Sequence, residues 1–520
     1  MINIETKKST IGKYRPEIDG LRAFAVIAVI INHFNKDLLP SGYLGVDIFF
    51  VISGFVITSS AEKESKNFLD FISSFYERRI RRLIPGLVFF VFLSSLLICF
   101  FNFNSGVSLQ TGITSLFGLS NIFLYSKSLD YFGLSADLNM FTHTWSLGVE
   151  EQFYFFFPFL IWFTGFAKHS KHGVRNLLFV MTALTISSLI GFLYFYPVNQ
   201  PAAYFLMPLR FWEIGAGCIT FLLYKRKNKK EIFSGDFFIL ILFLLMIFLF
   251  ISPIKFATLN TIITIFSTSL FLLKISSKHF LYKILTINKI RYLGLISYSL
   301  YLWHWSVLVT SRWTIGINKY SIFIQIILTL LMSIFSYEFI EKPFRRNIFN
   351  FSRLSTIVMG IIISLISIFI LFILGKPLKG KLYLGDYKYR HLITRSRNDI
   401  DKTTEEYSHY SGNSCHIDNR SSSIENFNFE KCSIDKNNNK FYFLGNSHSD
   451  HYRETQYLLA KNNNVSIEGI SVSDCLFPSA TSQNKKCQSQ FLILERVKSL
   501  LSNEDVVVIS NSRIGLNLLE

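Results

Sequence analysis

The chain has 520 residues, half of them hydrophobic, with 55 phenylalanines and only 17% charged residues, and its mean hydropathy is +0.34. That composition excludes a disordered chain and an ordinary soluble globule, and it fits a large membrane domain with room for part of a second one. The formal charge of +18 does not make a nucleic-acid binder, because the basic residues fall in short clusters between apolar runs, as the positive-inside rule places them.

The N-terminus, MINIETKKSTIGKYRPEIDG, is polar and has no short apolar core with a small-residue cleavage site, so no cleavable signal peptide is expected. Apolar runs long enough to span follow near 21–39, 43–60, 84–103, 147–166, 176–196, 203–224, 236–252, 256–274, 291–311, 320–340 and 353–375. The basic connectors are ERRIRR (77–82), KHSKHGVR (168–175), KRKNKK (225–230), the stretch 274–291 and EKPFRR (341–346). With a cytoplasmic N-terminus all of them fall inside, and the odd number of spans delivers everything after about residue 376 to the outside. The apolar stretch LQTGITSLFGLSNIFLY (109–125) breaks this alternation. It is expected to be re-entrant or to lie in the outer interface, since a crossing there inverts every later connector.

Residues 1–375 thus form the membrane domain and 376–440 a polar linker and lead-in. From 441 the period changes. KFYFLG (440–445), NVSIEGIS (464–471) and EDVVVIS (504–510) read as strands, and SDHYRETQYLLAK (449–461) and SQFLILERVKSLLS (489–502) as helices. Alternation of this kind implies a parallel α/β sheet. The domain at 441–520 ends just after its third strand and reads as cut short, so the natural reading frame is expected to continue. Cys99 and Cys218 lie in apolar segments, whereas Cys415, Cys432, Cys475 and Cys487 all lie in the polar part. Four cysteines in one polar region suggest two disulfides and an oxidising compartment, with Cys415–Cys432 and Cys475–Cys487 as the short-range pairs. No close Cys-x-x-Cys pair supports a metal site.

An ionisable group near the bilayer centre costs roughly 2.5 kcal/mol or more, so intramembrane polar residues are candidates for function. EIDGLRAFAVIAVIINHF (17–34) carries Arg22 and His33. Their spacing is three helical turns plus roughly 20°, which puts both on one face about 16 Å apart and suggests a lined passage. FTHTWSLGVEEQFY (141–154) holds His143 and Glu150, again close to one helix face and about 10 Å apart. Arg210 and Glu213 sit at i, i+3, as do Tyr301 and His304. Asp47 reads equally as a structural cap. Arg78, Arg79, Arg81 and Arg82 suit a phosphate-bearing donor, although the positive-inside rule alone also accounts for them. His33 titrates in the range of a general base on a hydroxyl, or of a relay for an acyl group, and Glu150 is placed to orient it or to stabilise its cation.

The segments RPEIDGLRAFAVIAVIINHF, GYLGVDIFFVISGFVIT, ERRIRRLIP, HTWSLGVEEQFY, YSLYLWHW and EKPFR run in this order over most of 15–345. As an ordered set they resemble the membrane-bound acyltransferase-3 family. The resemblance implies that Arg22 and His33 are essential, that Arg78 or Arg79 with Arg81 or Arg82 forms the family's arginine pair, and that acetyl-CoA donates an acyl group to a glycan outside the cytoplasm. No tightly bound cofactor is implied. FLGNSHSDHY (443–452), a strand ending in a tight turn with Ser447 opening a helix, resembles the SGNH hydrolase-like domain fused to many of these enzymes, a flavodoxin-like three-layer fold. Ser447 is then the nucleophile, Asn511 the oxyanion-hole asparagine and Gly469 the glycine. That fold's Asp-x-x-His does not follow Asn511, and His448 and His451 lie too near Ser447 to replace it, so the serine lacks its base and either the chain is a truncated product or the outer domain is inert.

The expected protein is a multi-pass enzyme of a bacterial inner membrane with a periplasmic or extracellular C-terminal domain. Its expected partners are acetyl-CoA, membrane lipids and a surface polysaccharide or lipid-linked glycan. Lipopolysaccharide O-antigen is the favoured acceptor, followed by peptidoglycan or exopolysaccharide. A transporter also keeps ionisable residues in the membrane, and an outer glycan-binding module without catalysis is a third reading.

Overall fold

The first apolar run forms α1 (Pro16–Phe34), which begins with Pro16 at its first position and Glu17 and Asp19 in its first turn. Proline presets the helical φ there, and the carboxylates complement the N-terminal dipole. Neighbouring backbones press directly on α1 through glycines. A Cβ on Gly294 would lie 1.7 Å from Asp19 O, and one on Gly45 would lie 2.4 Å from Ala25 O. No other residue fits either position, so α1 is clamped at both places. The structure, a computed structural model, describes residues 14–62, 65, 67–103, 105–128, 136–226, 235–378, 380–385, 415–417, 429–436, 439–445, 449, 452–472 and 485–510. The chain divides into two units, Met1–Ile393 and Thr394–Glu520.

Among the described residues of the first unit, seven helices are long and apolar enough to cross a membrane, from Gly42–Ser60 to Arg353–Gly375. Helices also stand at the other four expected runs: α1, Trp145–Phe163, Asp236–Ile251 and Ser297–Trp313. The last two have only 16 and 17 residues, and α1 carries Glu17, Asp19, Arg22 and His33. Of these, α1 and Ser297–Trp313 are largely buried and build the interior, whereas Asp236–Ile251 turns an apolar face outward. Large apolar side chains such as Phe179, Phe323 and Phe369 point outward and are exposed. A soluble monomer rarely presents so many of them, whereas lipid requires them. The chain is a membrane protein.

Beside α1 stand α2 (Gly45–Ser60) and α3 (Phe68–Phe101). Asn67 caps α3 by accepting from the Asp70 amide at 2.8 Å. With 34 residues, α3 rises about 51 Å, well beyond a hydrocarbon core of roughly 30 Å. Its arginines at 78–82 therefore sit in the half that precedes the apolar run. The stretch 109–125 falls on α4 (Gly106–Leu116) and α5 (Ser120–Ser128), separated by Gly118 at φ +68°. Eleven and nine residues rise only about 16 and 14 Å, so neither piece crosses. Further along come α6 (Trp145–Phe163), α7 (Met207–Arg226), α8 (Ser297–Trp313) and α9 (Arg353–Gly375). Between α8 and α9, Ser336–Glu341 winds as a π-helical turn, a form that concentrates at functional sites.

The second unit is α/β. Strand β3 (Lys440–Gly445) pairs in parallel with β4 (Ser466–Val472) on one side and β5 (Val506–Ser510) on the other. Two helices, α10 (Arg453–Asn463) and α11 (Lys485–Leu500), make the connections. The stretch expected as a linker adds two short strands: β1 (His416–Ile417) lies parallel to β4, and β2 (Ser433–Ile434) antiparallel to it. The sheet therefore begins ahead of residue 441. A disulfide joins Cys415 to Cys432, packed with Tyr442, Leu444, Ile470 and Val472. Glu468 is buried on β4 and bonds Lys440 and Arg496, each at 3.0 Å.

Candidate active site

At the start of α1, Arg22 faces a narrow cavity of about 70 Å³ between α1, α2, α3, α6 and α8. Arg79 and Arg82 of α3 line the same cavity, with Ser53, Glu150, Tyr154, Tyr298 and Tyr301. Positions three apart on a helix share a face, and this pairing sorts the cluster. Arg79 and Arg82 look inward, with Arg79 5.5 Å from the Tyr154 ring centre. Arg78 and Arg81 do not join them. Arg81 donates to Phe351 O at 2.8 Å and Thr356 Oγ1 at 3.0 Å, and it pairs with Glu77 at 2.9 Å. Arg78 donates to Ser74 Oγ. Arg81 thus ties α3 to the lead-in of α9, whereas Arg78 stays within α3; of the four expected arginines, Arg79 and Arg82 are the two that line the cavity.

Glu150 is the one carboxylate among the residues lining this cavity. Its oxygens accept from Ser53 Oγ at 2.9 Å and Tyr154 OH at 2.8 Å. It therefore does not orient His33, as the spacing suggested, but belongs to the arginine end. Asp19 touches Arg22 at 3.5 Å. A smaller adjoining cavity shares Arg22, Arg82, Ser297 and Tyr298 and adds Glu341 and Arg345. Both come from the segment EKPFR, Glu341 at the end of the π-helical turn and Arg345 just beyond it. The balance of charge is positive, which suits an anionic ligand. A larger cavity of about 390 Å³ lies on the other side of α3 against α9 and is almost wholly apolar; of the candidate residues only Arg81, already paired, borders it.

At the far end of α1, His33 Nδ1 lies 2.9 Å from His304 Nε2. Trp305 meets the His33 ring edge-on with centroids 4.8 Å apart. His143 packs against His304 at 5.7 Å and Tyr301 at 5.3 Å. It sits in the 3-10 turn Thr142–Thr144 ahead of α6, so His143 and Glu150 do not share a helix; one joins the histidines and the other the arginines. Tyr301 stands between the two ends, lining the cavity while bonding Ser146 Oγ at 2.8 Å and His143 O at 2.7 Å. His304 was the residue to find here. It was visible as the His of YSLYLWHW, but its partner is 271 positions away.

A third polar group is self-contained. Arg210 Nη2 meets Asp47 Oδ1 at 2.6 Å and Nη1 meets Glu213 Oε1 at 2.9 Å. Phe50, Trp145 and Tyr204 surround the guanidinium, and Thr261 adds a contact to Asp47 at 3.4 Å. Asp47 is thus an ion-pair partner rather than a helix cap.

Ser447, His448, His451, Asn511 and Cys475 lie outside the described residues, as does the side chain of Cys487. Gly469 is placed, and it corrects its expected role. It pairs with Phe443 inside the fully buried β4, two residues short of the position opposite Gly445, and so is not at the sheet's carboxyl edge.

The model of an acyltransferase domain, acyltransferase-3, matches residues 15–375. The chain belongs to the acyltransferase-3 family. The model of an SGNH domain fused to such domains matches residues 414–516. O-acetyltransferase OatA of Staphylococcus aureus strain NCTC 8325 is 34% identical over 365 residues, covering 65% of this chain and 58% of that protein. Putative O-acetyltransferases of strains MSSA476 and MRSA252 are each 31% identical, over 76% and 78% of this chain and 67% and 69% of their own lengths. The match to OatA thus spans less than two thirds of that relative. No solved structure matches the chain.

Proposed function

We propose that this protein is an O-acetyltransferase that takes acetyl groups from acetyl-CoA and delivers them to hydroxyls of a glycan outside the cytoplasm. One observation carries the reading: α1 joins a cavity rich in guanidinium groups to an imidazole about three turns away. Arg22, Arg79 and Arg82 would grip the donor's phosphates from the cytoplasmic face, since guanidinium forks match phosphate oxygens. The thioester arm would lie along α1 towards His33. There a hydroxyl oxygen attacks the thioester carbonyl while its proton passes to His33 Nε2. The C–S bond breaks, and the thiolate takes that proton and leaves as the free thiol. Ser447 is proposed to take the acetyl group on from that first ester: its Oγ attacks the ester carbonyl, and the first hydroxyl leaves with the serine's proton. A glycan hydroxyl then attacks the seryl ester, its proton returning to Ser447 Oγ as that bond breaks, with Asn511 donating to the oxyanion. The relatives' names support O-acetyl transfer.

The test supplies labelled acetyl-CoA to inner-membrane vesicles carrying the full chain and follows label into O-antigen, peptidoglycan and exopolysaccharide fractions. We expect O-antigen to be labelled, and His33→Ala to cut incorporation about 1,000-fold while the protein accumulates normally. Undiminished labelling in His33→Ala overturns the mechanism. Label confined to another glycan moves the acceptor, and undiminished labelling in Ser447→Ala removes the ester step.

A further inference from the structure

We infer that His304 fixes the tautomer of His33 and so makes His33 Nε2 the bare, basic nitrogen of the site. Three contacts set this arrangement. His304 Nδ1 lies 3.1 Å from Leu300 O, one turn earlier on α8. A carbonyl oxygen only accepts, so His304 Nδ1 carries a proton. In the neutral ring its Nε2 is then an acceptor, and the group 2.9 Å away is His33 Nδ1. That nitrogen must donate. The His33 proton therefore sits on Nδ1, and Nε2 keeps its lone pair.

The packing holds the pair in this geometry. The two imidazole planes are parallel to within 3° with centroids 5.2 Å apart, which with the 2.9 Å N···N distance fits two rings meeting edge to edge along an N–H···N bond. His304 is fully buried, and Tyr301, His143 and Trp305 pack around it. When Nε2 takes up a proton, Nδ1–H continues to donate to His304 Nε2, so the imidazolium keeps its partner without any ring turning. His304 is a positioning residue; it acts on the acceptor only through His33. The rates below rest on the acetyl-transfer reading, but the tautomer assignment does not.

The full chain labelled with [15N]histidine and reconstituted in lipid bilayers reads the assignment directly. Protonated and bare imidazole nitrogens resonate far apart, and a difference spectrum against His33→Asn identifies the His33 signals. Wild-type protein is expected to show His33 with a protonated Nδ1 and a bare Nε2. His304→Leu should lose that pattern. His304→Gln should restore it, because its side-chain carbonyl oxygen reaches the position of Nε2 and accepts the same proton. Acetyl transfer should fall about 100-fold in His304→Leu and recover to within about 10-fold of wild type in His304→Gln, with the KM for acetyl-CoA unchanged. A proton on His33 Nε2 in the wild type, or the same His33 signals in wild type and His304→Leu, overturns the inference. Expected signals in a wild-type protein that transfers no acetyl group would reject the proposed reaction and leave the assignment standing.

Discussion

Two buried groups of arginines and carboxylates stand in the same helical unit and differ in one respect. Arg210 is claimed on both sides, by Asp47 and Glu213, and closed over by aromatic rings. Arg22, Arg79 and Arg82 share the lining carboxylate Glu150 and border an open cavity. Both are costly to bury. The first offsets that cost internally and so reads as a fastening between α2 and α7. The second keeps surplus positive charge beside empty space, which is what a site for an anion requires. Charge balance within a closed group, rather than the presence of charge in the membrane, separates structure from function here.

Arg210→Ala would strip the closed group of its cation and leave two carboxyl groups without it. A loss of about 3–5 kcal/mol is expected, visible as failed accumulation or a collapsed melting transition of the detergent-purified chain. A well-folded Arg210→Ala with altered donor affinity would break the comparison. The Arg79→Ala, Arg82→Ala double variant should behave oppositely. It should accumulate normally, with the KM for acetyl-CoA raised by about 150-fold or more, since two charge-assisted bonds to phosphate contribute roughly 1.5–3 kcal/mol each. Inorganic pyrophosphate should raise the melting temperature of the wild type and not of this variant.

Arg81→Ala sharpens the contrast within α3, because Arg81 is already engaged by Glu77, Phe351 O and Thr356. It should lower stability by about 1–2 kcal/mol and leave the donor's KM unchanged. The smallest effect belongs to the second unit. The Ser502 amide donates to Asp505 at 2.9 Å and the Lys440 amide at 2.8 Å, and these bonds hold its carboxyl below the usual carboxylate range, Ser502 foremost. Its contribution is complete above the unfolded value of about 3.9 and is lost as pH falls through the lower folded one. Asp505→Ala should speed hydrogen exchange of the Lys440 amide about fivefold, or about 1 kcal/mol, at neutral pH and less in acid.

Much of this was readable in the chain. The spacing of Arg22 and His33 depends only on helical geometry, and the strands at 440–445 and 504–510 announce themselves by composition. What was not legible depends on how the elements turn and pack. Which arginines of ERRIRR look inward depends on how α3 is rotated against α6 and α9, and the sequence of α3 is basic on both sides. The spacing of His143 and Glu150 assumed one helix, but Thr142–Thr144 is a 3-10 turn. β1 and β2 have two residues each, too few to show a period. The His33–His304 bond lies beyond any local pattern, since only the packing of α1 on α8 creates it.

The glycine clamps on α1 have a further consequence. Backbone contacts at Asp19 and Ala25 seat α1 against its neighbours, and the rise of that one helix sets the interval between Arg22 and His33 at about 16 Å. A rigid helix with an anion grip at one end and a base at the other is a ruler. On the proposed reading it selects its donor by reach: the phosphates must seat while the thioester, at the end of a flexible arm, arrives at His33. A donor with a shorter arm would bind at the arginines and never meet the base, which makes it an inhibitor rather than a substrate.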